Sequence, residues 1–372
     1  MPASEPKTVK NKPQESAASD SENQFPSVSI AIPVYNEEES LSGVLDDFLK
    51  SRYPNITEIL IADGGSTDRT REIIQEYHEK DERVKLVDNP GKIQSSGINE
   101  MIKIAKGEVF LRADGHSDYA PDYVEKSVEA LLESEALNAG GAQRFVARNS
   151  IQAALALASR SVIGNGGALY RDPDYTGYAE TVYIGCYWTE ILREMGGFST
   201  NNGPNEDAEM NTRLLKKKPN AIYISSEIRT WYYPRTSLKA LYWQFYYYGR
   251  GRRVTHVKHR DMSRLRGRLP FYIFMVILLF MIIANSVSGF QSWTLLVPGF
   301  ILALLFVSSV QINLRYKGAF NEEFWRGEPG KEPSLISRIL LTFICLVIMP
   351  VAHSIGYLYQ VIRQVFTGKK EW

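Results

Sequence analysis

The chain has 372 residues, and its 43 Lys and Arg residues offset 42 Asp and Glu residues to a formal net charge of +1. The net charge therefore indicates no particular partner. The 2 cysteines, Cys186 and Cys345, exclude a disulfide framework and a cysteine metal site, and they fit a reducing compartment.

The first segment, residues 1–26, is rich in Ser, Glu, Lys, Pro and Asn and shows no apolar periodicity. It has too little apolar surface to offset the entropy of ordering, so we predict a disordered tail. Since no apolar run follows its lysines, we expect no secretory signal peptide and a catalytic part that stays in the cytoplasm.

From Ser27 onward, short apolar segments alternate with amphipathic ones, which is typical of strands followed by helices. The alternation predicts an α/β domain with a parallel sheet covered by helices, in which ligands bind beyond the carboxyl ends of the strands. A further helix and a less regular region are predicted before Gly196. The predicted strands and helices cover residues 28–33, 38–50, 58–62, 71–79, 84–87, 94–105, 109–112 and 123–134.

Polar side chains follow the first two predicted strands. Asn36 is placed to cap the next helix, and the two glycines after Asp63 permit a tight turn. Asp63, left at the sheet edge, is suited to accept hydrogen bonds from a nucleotide base. The alternative interpretation is a turn followed by a helix cap from Ser66, Thr67 or Asp68.

The fourth predicted strand is followed by a carboxylate and an imidazole, Asp114 and His116. Oxygen and imidazole ligands suit Mg²⁺ or Mn²⁺, and such ions usually keep substrate phosphates in their coordination sphere. The pattern therefore predicts a metal site for a nucleoside diphosphate, with an ordinary surface turn as the alternative.

An acidic cluster begins the next predicted helix and places Glu206 and Asp207 in its first turn. A helix N-terminus favours an ionised carboxylate, which a general base must be before it removes a proton from a hydroxyl. Asp207 is the candidate base. The alternative is that acidic residues are simply good first-turn residues.

Three apolar runs close the chain, and none contains Asp, Glu, Lys or Arg. Each is long enough to cross a bilayer as a helix, whereas buried core helices of a soluble domain are the alternative. The uncharged link 285–292 suits the outside and the charged link 315–338 the inside. Because Pro350 and His353 interrupt the third run, it spans the bilayer, re-enters it or lies in the interface. The runs are residues 271–290, 293–314 and 339–362.

Residues 235–269, before the first run, are basic and aromatic, with eight Lys or Arg against one Asp between Tyr248 and Arg268. Nucleic acid, anionic lipid headgroups and a diphosphate are the three candidate partners. The adjacent apolar runs favour membrane lipids for residues 258–268 and disfavour nucleic acid.

Taken in order, IPVYNEEES, ADGGSTD, RADGH, GGF with NEDAEM, and QFYYYGRGR resemble the inverting glycosyltransferases of family 2, over residues 28–253. That family has the GT-A fold, a Rossmann-like, mixed but mostly parallel sheet with flanking helices. The Asp-Gly-His form, the TWYYPRTSL segment and the C-terminal apolar runs resemble bacterial succinoglycan-type exopolysaccharide enzymes, which extend sugars on a polyprenyl diphosphate carrier.

The resemblance implies a role for individual residues. The family's usual Asp two positions before the metal ligand is Arg112 here. Processive relatives carry Gln-x-x-Arg-Trp, but here the spacing differs and no Trp follows the arginines. The residues implied are Pro33, Tyr35, Glu37 and Asp63 at the nucleoside, Lys92 at the uracil or diphosphate, Asp114 and His116 at the metal, Gln244, Arg250 and Arg252 at the donor, Asp207 as base and Glu206 as its acidic neighbour.

The resemblance thus implies transfer of a sugar from a nucleotide-sugar, expected to be a UDP-sugar, to a lipid-linked saccharide with Mg²⁺ or Mn²⁺ as cofactor. We expect an inner-membrane, multi-pass protein with a cytoplasmic catalytic domain. A processive synthase and a non-catalytic nucleotide-binding membrane protein are the alternatives. The expected divisions are a tail at 1–26, a GT-A domain at 27–234, an interfacial segment at 235–269 and a membrane domain at 270–372.

Overall fold

The computed structural model of the protein describes residues 25–201, 205–259, 267–288 and 292–369. The predicted tail, residues 1–26, therefore lies outside the described residues except for its last two. The apolar runs and the α/β region are within the described parts of the chain except for residues 289–290 and 202–204, whereas residues 260–266 of the segment predicted to contact lipid lie outside them.

A nine-stranded mixed sheet forms the centre of the predicted catalytic half, with its main path in the order β3-β2-β1-β4-β8-β6-β9-β5 and β7 paired to β9. The four strands β3, β2, β1 and β4 are parallel, as predicted, whereas β8 runs antiparallel to both β4 and β6. The strands are β1 Val28–Val34, β2 Ile56–Asp63, β3 Val84–Asp88, β4 Val109–Arg112, β5 Ser117–Tyr119, β6 Asn138–Phe145, β7 Gly177–Tyr178, β8 Tyr183–Trp188 and β9 Ile222–Tyr232.

Helices cover both faces of this sheet. Alternate residues of a strand point to opposite faces, so Ile30 and Ile32 pack with α1 and α4, whereas Ala31 packs with α3. A central strand buried on both faces is apolar without interruption, which is the pattern of β1. The helices of this half are α1 Leu41–Leu49, α2 Thr70–Lys80, α3 Gln94–Ile104, α4 Tyr123–Glu133, α5 Ser150–Arg160, α6 Val162–Asn165, α7 Thr189–Glu194 and α8 Glu206–Lys217.

Two local expectations are wrong. The region between residues 134 and 196, predicted to be less regular, contains strands β6 to β8, because their small residues and irregular register hide the alternation of a strand. Asn36 does not cap α1, whose N-cap position is Ser40. Asn36 instead has a φ of +54° and accepts a hydrogen bond from the Thr67 backbone N–H at 2.8 Å, so it links the loops after β1 and β2.

The C-terminal half begins with α9, Leu238–Lys258, and contains α10, Leu269–Ser288, α11, Leu296–Arg315, the short α12, Phe320–Glu323, and α13, Leu335–Thr367. Among the described residues, α10, α11 and α13 are the 3 helices that are long and apolar enough to cross a membrane. The expected interruption of the third run is wrong, because α13 continues through Pro350 as one helix of 33 residues.

Helix α9 carries the basic, aromatic segment and lies against α13 with the two backbones in close contact. A Cβ at Gly249 would collide with the carbonyl oxygen of His353, and a Cβ at Gly356 would collide with that of Tyr246. Only glycine permits this approach, which small residues commonly allow between membrane helices. The pair Gly249 and Gly356 thus holds the catalytic half against the apolar helices.

We predict that Gly249→Ala and Gly356→Ala each destabilise the protein by about 1–3 kcal/mol, because each added methyl displaces a backbone carbonyl rather than a flexible side chain. Gly299→Ala on α11 is the matched control, since a Cβ there meets nothing within 4 Å. Thermal unfolding in detergent measures the difference, and equal melting temperatures for all three variants would contradict this account of the contact.

Candidate active site

The loop after β2 is organised by the carboxylate of Asp63. It accepts hydrogen bonds from the backbone N–H groups of Gly65 and Ser66, at 3.2 and 3.1 Å, and from Arg71 Nη1 at 2.9 Å. Burial alone would raise the pKa of Asp63, but the hydrogen bonds from Ser66, Arg71 and Gly65 hold it below its usual value. An ionised acceptor therefore stands where the parallel strands end.

Tyr35 and Lys92 meet this loop at its two glycines. A Cβ at Gly64 would lie 3.5 Å from both the Tyr35 Cβ and the Lys92 carbonyl oxygen, and one at Gly65 would lie 3.6 Å from the Lys92 Cε. Tyr35 is 59% exposed. The structure thus brings together the residues expected at the nucleoside, with Pro33 half-buried at the end of β1 just before Tyr35.

Glu37 and His116, expected at the nucleoside and the metal respectively, are bound to each other. Glu37 Oε1 lies 2.9 Å from His116 Nδ1, and its other oxygen accepts from the Ser40 hydroxyl at 2.8 Å. Burial alone would lower the pKa of His116, but the contact with Glu37 and the charge of Asp114 raise it. The pair joins the loop after β1 to the loop after β4.

Asp114 faces a tyrosine on one side and a guanidinium on the other. The Tyr183 hydroxyl donates to its Oδ2 at 2.8 Å, while Arg112 Nη2 lies 4.0 Å from its Oδ1. The backbone N–H of Asp114 also donates to the Tyr119 hydroxyl at 2.6 Å. The carboxylate is held in one orientation and retains 14% of its side-chain exposure.

Arg112, at the end of β4, forms an ion pair with Asp207 at the start of α8. The guanidinium is buried, whereas the Asp207 side chain is 40% exposed, so the carboxylate remains accessible beside its partner. Gln94 completes the group when its amide nitrogen faces Glu206 at 3.1 Å and its oxygen faces Arg112 Nη2 at 2.7 Å. Glu206 and Asp207, which were predicted to act together, are thus connected through the side chains of Gln94 on α3 and Arg112 on β4.

One buried cation therefore stands among three carboxylates. Burial would lower the pKa of Arg112, but Asp207, Asp114 and Glu206 raise it, so it stays charged. Burial, reinforced by the charge of Asp207, raises the pKa of Glu206 to about 7. Partial burial also raises the pKa of Asp207, although Arg112 opposes the shift. A carboxylate with a raised pKa is a stronger base than an exposed one.

The three donor-site residues expected on α9 lie in different surroundings. Gln244 donates to the Tyr248 hydroxyl at 3.0 Å and lies beside Tyr232, whose ring centroid is 5.4 Å from that of His116. Arg250 donates to Gln360 of α13 at 3.2 Å, and Arg252 lines a cavity between the two halves of the chain. Their contacts with the donor stay a prediction.

Comparison with known proteins identifies the family. Residues 29–189 match the family described as Glycosyl transferase family 2. The succinoglycan biosynthesis protein ExoA of Rhizobium meliloti (strain 1021) is 36% identical over 246 residues, which cover 66% of this chain and 74% of that protein. The chain belongs to glycosyltransferase family 2. The resemblance read from the motifs is confirmed, and the protein is a glycosyltransferase.

Two further proteins are similar to this glycosyltransferase. A dolichyl N-acetyl-alpha-D-glucosaminyl phosphate 3-beta-D-2,3-diacetamido-2,3-dideoxy-beta-D-glucuronosyltransferase of Methanococcus voltae is 30% identical over 232 residues, covering 60% of this chain and 71% of that one. A mannosyltransferase of Pyrobaculum calidifontis, solved with GDP-Man and Mn²⁺, matches with a TM-score of 0.57 at 15% identity over 88% of both chains. This structural likeness confirms the expected GT-A fold.

A metal held by the glycosyltransferase would have few protein ligands. Among the residues that the structure describes, no group of 3 or more His, Cys, Asp or Glu side chains is placed to hold an ion. Asp114 offers one carboxylate, and Mg²⁺ or Mn²⁺ bound through one or two carboxylates takes its other ligands from phosphates and water. Asp114 fits this mode, while His116 Nδ1 already faces Glu37.

The sequence did not reveal a second cluster of charged side chains in the enzyme, which is centred on Glu209. Glu209 is fully buried and contacts Arg213 Nε at 3.0 Å, Lys258 Nζ at 2.8 Å and His259 Nε2 at 3.0 Å. The i, i+4 spacing of Glu209 and Arg213 was a visible signal, but nothing local indicated the partners from α9 and the residue after it. Tyr183, the partner of Asp114, likewise carried no signal in its own segment.

We predict a pH-dependent stability that originates at Glu206. Its pKa rises from 4.5 to about 7 on folding, so the folded state binds the extra proton and stability is lost as the pH rises between these values. At about 1.4 kcal/mol per pKa unit, the loss is on the order of 3 kcal/mol. Glu206→Gln removes the titrating carboxyl group. The melting temperature of this variant should therefore change less between about pH 5 and 8, the range in which Glu206 titrates.

Glu72→Gln is the control for this prediction, because that side chain is 68% exposed. It should leave the wild-type pH dependence of the melting temperature unchanged. An unaltered profile for Glu206→Gln would show that the Glu206 carboxylate does not carry the effect.

Proposed function

We propose that the protein is an inverting glycosyltransferase that moves a sugar from a nucleotide-sugar, a UDP-sugar in our assignment, to a lipid-linked saccharide. The observation that carries the proposal is the ion pair of Asp207 with Arg112 beside Asp114, at the carboxyl edge of the parallel strands. A base and the expected diphosphate site are then adjacent, which is the arrangement that displacement at an anomeric carbon requires.

In this mechanism the nucleoside binds among Asp63, Tyr35 and Lys92, and its diphosphate approaches Asp114. Arg112 holds Asp207 towards the acceptor, and the exposed part of that carboxylate removes the proton from the attacking hydroxyl. Attack on the face opposite the leaving diphosphate inverts the anomeric centre. A divalent cation at Asp114, when bound, supplies positive charge for the leaving group.

The lipid-linked acceptor is supported by two observations. The chain carries 3 helices able to cross a membrane directly after its catalytic half. Of the relatives, one is named for succinoglycan biosynthesis and another for a dolichyl-linked sugar phosphate. We assign the acceptor to a polyprenyl-diphosphate-linked saccharide in exopolysaccharide or glycan synthesis, made at the inner membrane with the catalytic domain in the cytoplasm.

The divisions of the chain remain part of the proposal. We assign residues 27–234 to the GT-A domain and residues 270–372 to the membrane domain, with 235–269 in contact with lipid headgroups between them. Helix α9 occupies most of that middle segment and joins the two halves through α13.

Asp207→Asn should abolish acceptor-dependent release of nucleoside diphosphate, since the amide cannot take the proton, with a loss of at least about 100-fold in turnover. The assay uses UDP-sugars and GDP-mannose with polyprenyl-diphosphate-linked saccharides. Asp174→Asn, an exposed change, is the control and should retain wild-type turnover. Near-normal turnover in Asp207→Asn would reject this residue as the base.

Removal of divalent ions with a chelator should lower turnover, and addition of Mg²⁺ or Mn²⁺ should restore it, because Asp114 and the diphosphate form the site together. Asp114→Asn should raise the concentration of metal needed for half-maximal rate, whereas the control Asp174→Asn should not. Full turnover in chelator would contradict the assigned metal dependence.

A further inference from the structure

A large cavity lies between the catalytic half and the apolar helices. It has a volume of about 830 Å³, which falls in the range of pockets that bind whole ligands. Its walls come from α8, α9, α10, α11 and α13, together with residues between α5 and β8. It is therefore bounded on one side by the helix of the predicted base and on the other by helices that are able to cross a membrane.

The two sides of the cavity differ in chemistry. Ile273 of α10, Leu304 of α11 and Leu346 of α13 represent a side made of aliphatic groups. Arg252 and His256 of α9 represent the polar part of the lining, to which Glu180 and His353 also contribute. One wall suits a hydrocarbon chain, and an arginine with neighbouring imidazoles suits a phosphate group.

The cavity lies next to the N-terminal part of α8, which carries Asp207. Ala208, the residue directly after Asp207, lines it, as does Thr212 one turn later on α8. Glu209 fixes the spacing of this wall, because it binds Lys258 of α9 as well as Arg213 of its own helix. A ligand in the cavity therefore approaches the active site from the side of the apolar helices.

We propose that this cavity binds the polyisoprenyl diphosphate of the acceptor. This inference rests on the proposed function. The prenyl chain lies along Ile273 and Leu304, and the diphosphate lies towards Arg252 and His256. The attached saccharide then continues past Ala208 to Asp207. The three parts of such an acceptor match the surroundings in order. The apolar chain matches the aliphatic wall, the diphosphate matches the basic wall, and the saccharide lies next to the proposed base, Asp207.

Filling the aliphatic wall tests the proposal. Leu304→Trp and Leu302→Trp are a matched pair, since both residues lie on α11 and are 47% and 44% exposed, but only Leu304 lines the cavity. Ile273→Trp and Val276→Trp form a second pair on α10, of which only Ile273 lines it. The second pair keeps the test available if one variant fails to fold.

Each full-length variant is assayed with one saccharide on two carriers, a long polyprenyl diphosphate and a short, water-soluble alkyl diphosphate, and for hydrolysis of the donor alone. We expect Leu304→Trp and Ile273→Trp to raise the KM for the long-chain acceptor by about tenfold or more. Donor hydrolysis and the KM for the short carrier should match those of Leu302→Trp and Val276→Trp.

An unchanged KM for the long-chain acceptor in both cavity variants would overturn the proposal, and so would an equal rise in their controls. Loss of co-purified phospholipid in the cavity variants, with the acceptor KM unchanged, would assign the cavity to bulk lipid instead. If the wild-type enzyme transfers sugar only to the short carrier, the proposed lipid-linked acceptor itself is wrong. This result needs no variant, so failure of the proposed function is distinguishable from failure of the cavity proposal.

Discussion

The ion pair made by the buried guanidinium of Arg112 is the interaction on which the candidate active site depends. Arg112 holds Asp207 by an ion pair while its Nη2 lies 4.0 Å from Asp114 Oδ1. Without that positive charge, Asp114, Glu206 and Asp207 would gather negative charge in a partly desolvated site, which is strongly unfavourable. Arg112 therefore allows the carboxylates to remain close enough to act on one substrate.

The same helix that carries Asp207 connects the active site to the rest of the molecule. Its first turn contacts β4 through Arg112, and its next residues contact α9 through Glu209 and Lys258. Helix α9 in turn lies on α13, and α5 packs against α11 and α13 in a shared apolar core. The proposed base, Asp207, is thus connected by short contacts to both halves of the chain.

Much of the fold was readable from the sequence because its signals are local. Apolar runs and glycine turns gave the parallel strands, the helices between them and the three C-terminal runs. They also predicted Asp63 at the sheet edge and Asp207 in the first turn of a helix. The partners were not readable, because Arg112 meets Asp207 and Tyr183 meets Asp114 only after distant segments fold together. Asn36 was misassigned since its φ depends on the loop after β2.

The length of α13 has a geometric consequence. At about 1.5 Å per residue its 33 residues extend for about 50 Å, whereas a bilayer core is only about 30 Å thick. Because Gly249 and Gly356 hold α9 against α13, and Glu209 of α8 binds Lys258 of α9, the fold fixes the distance between Asp207 and α13. In the proposed membrane-bound enzyme, this fixed distance selects acceptors by how far their reacting hydroxyl stands from the bilayer, in addition to the identity of their sugars.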